Sequence, residues 1–312
     1  MAQKAPGKHY RKGITLAKLF QMFPDDATAE EWFIRERWAS GIRCPYCNSD
    51  NVNDKAKHPT MPFRCNACKK QFSVKSKSIM HSSKLGYQTW AIALYLVATN
   101  LKGISSMKLH RDLGITQKAA WHLLHRIRTS YGESNNIFGG MVEVDETYVG
   151  GKEGNKHASK KLRAGRGPVG KTAVVGIKER GSNRVQAEVV QLTDGKTFKG
   201  FVLDRTNEDT IVVTDEARAY LGMPRRHVTV KHSVGEYVRD QAHTNGMESF
   251  WSLLKRGFTG TYHKISPKHL HRYVDEFSGR HNDRPQDTIV QMGNLVRGGD
   301  SKRLRYDDLV AG

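Results

Sequence analysis

The chain has few cysteines, few acidic side chains and no long apolar run. Four cysteines in 312 residues cannot staple a fold of this size, so a disulfide scaffold is excluded and a reducing compartment expected. The longest apolar stretch, Trp90 to Thr99, is about half of a membrane span, which excludes a helical membrane protein. The opening Met-Ala-Gln-Lys-Ala-Pro-Gly lacks the apolar core of a secretory signal. A soluble, cytoplasmic protein of two or three domains is therefore expected.

The shortage of acids is as informative. Only 31 Asp and Glu stand against 51 Lys and Arg, a formal charge of +20, which points to a polyanion as partner. The excess is segregated: between Asn51 and Ser130 fourteen basic residues face two acids, and between Gly151 and Thr172 seven face Glu153 alone. Blocks of this kind favour nucleic acid over mere solubility.

All four cysteines fall in Cys44-Pro45-Tyr46-Cys47 and Cys65-Asn66-Ala67-Cys68. This is the spacing of a zinc ribbon, in which one tetrahedral Zn²⁺ holds two hairpins too small to fold alone. Four protein ligands leave no open position, so the ion would be structural. A redox pair or two disulfides would need a βαβ context or an oxidising compartment. Lys69 and Lys70 continue the second knuckle as a basic strand. Helical spacing is predicted over Tyr87–Thr99, Ser105–Leu113 and Gln117–Thr129, with a Gly114-Ile115 turn between the last two. That pattern reads as a helix-turn-helix whose third helix turns Gln117, Lys118, His122 and Arg126 toward DNA; an ordinary helical connector has the same periodicity. The domain scheme is a basic arm with short helices (1–40), the ribbon (41–80), the helix-turn-helix (84–131), a catalytic domain (140–285) and a flexible basic tail (286–312).

From Met141 the period changes to two. Strands are predicted at Met141–Val149, Ala173–Ile177, Val185–Leu192, Thr210–Thr214 and His227–Val230, with a helix over Lys196–Leu203 and another over residues 243–256. The fold class is α+β, or mixed α/β, with helical crossovers after an initial hairpin. The basic Gly-rich loop 151–171 offers Lys160, Lys161, Arg163 and Arg166 to a phosphate backbone. Asp145 lies in the first strand and Asp215 just past the fourth. If those strands pair at the centre, both acids reach one rim. Glu248 lies on the last helix, whose Met247, Phe250, Trp251 and Leu254 repeat at helical spacing; Asn245 lies one turn before Glu248, with Lys255 and Arg256 two turns beyond it. Clustered acids fit the hard ions Mg²⁺ or Mn²⁺ better than zinc. Two such ions about 4 Å apart suit cleavage of a phosphodiester. Each acid has a plainer reading: Glu143 and Glu146 compete with Asp145, Asp215 can cap the turn after it, and Glu248 can be solvated.

The whole chain from about residue 20 to 285 resembles DDE-type insertion-sequence transposases with an N-terminal zinc ribbon, the ISXO-like bacterial group related to the eukaryotic Merlin elements. The ribbon, the Ala119-Ala120-Trp121 segment, Val144-Asp145-Glu146-Thr147-Tyr148-Val149-Gly150-Gly151-Lys152, Thr214-Asp215-Glu216, His243-Thr244-Asn245 through Arg256-Gly257, and Gly260-Thr261-Tyr262-His263 carry it, in order. The resemblance implies an RNase H-like fold and a cut-and-join reaction on terminal inverted repeats and target DNA, at the bacterial nucleoid. It implies Asp145, Asp215 and Glu248 as the acidic triad, with Asn245 the other candidate for the third position, and Lys255 as the basic residue after it. Work on two ends implies a homodimer or larger oligomer. Two rivals share these features: a non-catalytic DNA-binding regulator, and a structure-specific nuclease of the same fold.

Overall fold

A computed structural model describes residues 11–132, 137–151, 153–162, 168–215, 217–230 and 244–311. It divides into two compact units: the first combines residues 1–132 with 283–312, and the second spans 133–282.

The first unit opens with α1 (Leu16–Met22) and α2 (Asp26–Arg37). Each has a side-chain cap: Thr15 Oγ1 accepts from Lys18 N–H at 3.2 Å, and Asp25 Oδ1 from Thr28 N–H at 2.8 Å. The ribbon follows as a small antiparallel sheet, β1 (Val52–Asn53), β2 (Phe63–Cys65) and β3 (Gln71–Phe72). Its core is thin: Phe63 and Phe72 meet the indole of Trp38 edge-on, at 5.6 and 6.0 Å between ring centroids. Then come α3 (Tyr87–Thr99), α4 (Ser106–Leu113) and α5 (Gln117–Thr129). Trp32, Phe33, Trp90, Leu94, Leu109, Leu123 and Ile127 bury together as the core of this unit.

The second unit is built on one five-stranded sheet: β4 (Met141–Val149), β5 (Thr172–Glu179), β6 (Val185–Val190), β7 (Ile211–Thr214) and β8 (Arg226–Thr229). The spatial order is β6-β5-β4-β7-β8; β4, β5 and β6 are antiparallel, and β4, β7 and β8 parallel. Three antiparallel strands extended by two parallel crossovers are the RNase H-like arrangement. Alternation along the strands serves two layers. Val142, Val144, Val175 and Ile177 pack with Phe198, Phe201 and Val202, largely from α6 (Gly195–Leu203), on one face. On the other, Val174, Val185 and Ala187 meet α7 (Asn245–Gly257) and α8 (Leu270–Asp283) through Met247, Phe250, Trp251, Leu254, Val274 and Phe277. Those α7 residues are the apolar stripe expected from the sequence, and each is buried.

The chain then returns to the first unit with α9 (Thr288–Gly298) and α10 (Tyr306–Val310). Residues 286–311 of the expected flexible tail thus carry two helices. Met292, Leu295 and Val296 fall on one face of α9 and are buried in the core around Trp90. Among the described residues no helix is long and apolar enough to cross a membrane.

Candidate active site and metal centre

The four cysteine sulfurs converge, all within 4.8 Å of one another, and the cross-knuckle pairs Cys44–Cys68 and Cys47–Cys65 are each 3.6 Å apart. A tetrahedron of Zn–S bonds of about 2.3 Å has edges of about 3.8 Å, so the four cysteines fit a structural zinc site. Backbone N–H groups point at the sulfurs: Tyr46 donates to Cys44 Sγ and Cys68 to Cys65 Sγ, each at 3.4 Å. The Cys68 N–H is the chief reason that the Cys65 thiol is lowered to about 6, toward the thiolate that a metal binds.

In the second unit, β4 pairs with β7 through Met141–Ile211, Val142–Val212 and Glu143–Val213. Continued by two residues, the same register carries Asp145, midway along β4, to a position beside Asp215, just past the end of β7. Asp215 Oδ1 accepts from Ala217 N–H at 2.9 Å, but the short turn Arg218–Tyr220 has Ala217 as its N-cap and no side-chain cap, so Asp215 does not cap it. The Thr214 hydroxyl contacts the Asp215 carbonyl and His227 Nε2, both at 2.8 Å, which fixes the strand end.

Three acids on β4 have three fates. Glu143 and Asp145 share one strand face, toward α7. Glu143 is buried; its Oε1 accepts from Arg180 Nε at 2.9 Å and its Oε2 from Met247 N–H at 3.0 Å, so this carboxylate anchors the start of α7 and does not compete as a ligand. The approach needs Gly246, where a Cβ would lie 2.6 Å from Glu143 Oε2. Glu146 faces the other way and accepts from the buried Tyr220 hydroxyl at 2.9 Å. Asp145 opens toward a shallow groove of about 560 Å³, which Glu146, Thr147, Glu248, Ser252, Lys255 and Arg256 also line.

The electrostatics of this rim are unfavourable. Burial, then the charges of Glu146 and Asp215, push Asp145 up to about 7, against the lowering effect of the Glu146 N–H and the Trp251 indole. Burial also raises Glu146, with Asp215 adding to the effect. A hard divalent cation beside Asp145 would relieve this resistance to its ionisation. Asp145, Asp215 and Glu248 are oxygen donors of the kind such an ion takes, but among the described residues only the cysteines form a converged group of three or more ligands. Glu248 and Lys255 are exposed on the groove wall; Asn245, exposed at the first turn of α7, lies outside the groove lining.

Two family models match the chain: a transposase zinc-ribbon domain over residues 24–71, and an ISXO2-like transposase domain over residues 137–282. The chain belongs to the DDE-type insertion-sequence transposases with an N-terminal zinc ribbon. No curated protein matches the transposase. Among solved structures it is similar to a chain of the simian T-cell lymphotropic virus intasome in complex with the PP2A regulatory subunit B56 gamma. The identity is 15% over 55% of the transposase and 67% of that chain, with a TM-score of 0.28, too low to carry an argument.

The expected DNA-facing residues of the transposase divide into two sets. Lys69, Lys70, Gln117, Lys118, Lys161 and Arg256 are exposed. The helix expected to read DNA is partly covered: Arg126, only 9% exposed, donates to Leu304 O at 3.3 Å and His81 O at 2.9 Å, and His122 Nε2 is 3.1 Å from Leu304 O. Tyr306 lies beneath Lys118, whose Nζ is 4.3 Å from the ring centroid. Arg126 and His122 are therefore corrected to tertiary contacts, because the segment before α10 packs on that side of α5. Arg163, Arg166 and the side chain of Lys160 fall outside the described residues. Glu143, Gly246 and Trp251 are functional supports that residue spacing missed; the alternation of β4 and the α7 stripe marked their faces but not their partners.

Proposed function

We propose that this transposase binds the terminal inverted repeats of its own element, cuts a phosphodiester there to free a 3′ hydroxyl, and joins that hydroxyl to target DNA. The observation that carries the reading is the placing of Asp145, midway along β4, beside Asp215, just past β7, where burial and neighbouring charge resist ionisation of Asp145. Asp145, Asp215 and Glu248 would hold Mg²⁺ or Mn²⁺, with Asn245 the alternative to Glu248. Two such ions, when bound, supply the charge that activates an attacking water or hydroxyl and stabilises the leaving oxygen.

The protein's own part is to place and to neutralise. β4 and β7 hold two carboxylates at a rigid sheet rim, and α7, anchored by Glu143, brings Glu248 to the same groove. Lys255 and Arg256 set positive charge along the wall on which a DNA backbone would lie. Exposed Lys69 and Lys70 on the ribbon and Gln117 and Lys118 at the start of α5 supply contacts to the DNA backbone. Reaction at two element ends calls for a homodimer or larger assembly on DNA, in the cytoplasm at the nucleoid.

The test is cleavage of an element-end oligonucleotide in Mn²⁺, with joining of a pre-cut 3′ end to a second duplex. Wild type is expected to do both. Asp145→Asn should retain end binding and lose both steps by on the order of a thousandfold. Cleavage without joining would make the protein a nuclease; binding without either would leave a regulator.

A further inference from the structure

Directly across the β4–β5 ladder from Asp145 stands Gly176. A Cβ at that position would lie 2.8 Å from both Cζ2 and Cη2 of Trp251, and 2.5 Å from Met247 Cε. The absent side chain makes the space in which the indole rests against the strand. From there Trp251 Nε1 donates to Asp145 Oδ2 at 3.1 Å, while Oδ1 accepts from Glu146 N–H at 2.9 Å. Each carboxylate oxygen is thus held by one donor and retains a lone pair for a cation.

Trp251 is 3% exposed and sits one turn after Glu248 and one turn before Lys255 on α7. Packing alone would be satisfied by phenylalanine or leucine. The indole adds to that bulk a neutral donor that orients the carboxylate without cancelling its charge. Carboxylates that bind metals are commonly held in this way by a further hydrogen bond.

We infer that Trp251 is a positioning residue for cleavage and joining: across Gly176 its N–H fixes the Asp145 carboxylate and ties it to the helix that carries Glu248 and Lys255. The inference rests on the reading of Asp145 as a metal-holding acid.

Trp251→Phe keeps the ring and removes the donor. In calorimetric titration of the full-length protein with Mn²⁺, it should bind about tenfold more weakly than wild type and need correspondingly more Mn²⁺ for cleavage, with end-DNA binding unchanged. Gly176→Ala, which displaces the ring, should shift Mn²⁺ affinity in the same direction. Adding Trp251→Phe to Asp145→Asn should weaken Mn²⁺ binding no further, because the tryptophan acts through that carboxylate. A measurement on wild type stands apart from how any variant folds: the indole N–H resonance of Trp251 should move when Mg²⁺ is added. A resonance indifferent to saturating Mg²⁺, or wild-type Mn²⁺ affinity and cleavage in Trp251→Phe while Asp145→Asn is inactive, overturns the positioning role alone. Wild-type Mn²⁺ binding by Asp145→Asn overturns the reading of Asp145, and the positioning role with it.

Discussion

The ribbon and the acidic groove hold charge on opposite plans. In the ribbon two knuckles bring four sulfurs within 4.8 Å, and backbone N–H groups already favour the thiolate at Cys65. At the groove β4 and α7 contribute Asp145 and Glu248, Asp215 stands just past β7, and burial with neighbouring charge drives Asp145 toward its neutral form. The first site is closed and its ion would be part of the fold. The second is open, and its repulsion is retained until ion and DNA arrive. A site that must admit a substrate cannot also be completed by the protein alone.

The largest effect should come from the ribbon. Stripping zinc with a chelator, or Cys65→Ser, should unfold the stretch from Cys44 to Phe72. Zinc contributes about 10–16 kcal/mol in comparable small sites, more than the thin core of Trp38, Phe63 and Phe72 can replace. Hydrogen exchange should rise there and stay unchanged in β4–β8; protection retained in the ribbon would break the contrast.

A smaller effect, of opposite sense, belongs to the groove. Asp145 binds its proton more tightly in the folded protein than in the unfolded one, where its value is near 3.8. Its stabilising contribution is therefore fully present below that value and lost as pH rises through about 7. Metal-free protein should lose on the order of a few kcal/mol across that window. Asp145→Asn should flatten the dependence and Mn²⁺ should suppress it, as read from urea midpoints. The smallest effect tests the anchor of α7: Gly246→Ala should cost about 1–3 kcal/mol in equilibrium denaturation, because its Cβ intrudes on Glu143.

Local pattern carried far in this chain. The strand Met141–Val149 and the helices Tyr87–Thr99 and Gln117–Thr129 appear with the bounds that the sequence pattern predicts. Pairing of the central strands followed from the order of elements. Partners distant in sequence were not legible. Nothing near Arg126 announces Leu304, and nothing near Asp145 announces Trp251. Glu143 and Asp145 share a face, so alternation could not say which carboxylate anchors α7 and which opens to the groove. In the last segment Gly298-Gly299 and the basic Lys302-Arg303 suggested a loose tail, yet Met292, Leu295 and Val296 had the spacing of a buried helix.

The placement of α9 also sets an order of events at the ribosome. Residues 133–282 form a contiguous unit and can fold as soon as they emerge, whereas the core around Trp90 waits for Met292, Leu295 and Val296. A nascent chain would thus complete the half built on the five-stranded sheet before the half that carries the ribbon. A message broken before codon 288 would yield a product without the helix that seals its own amino-terminal core.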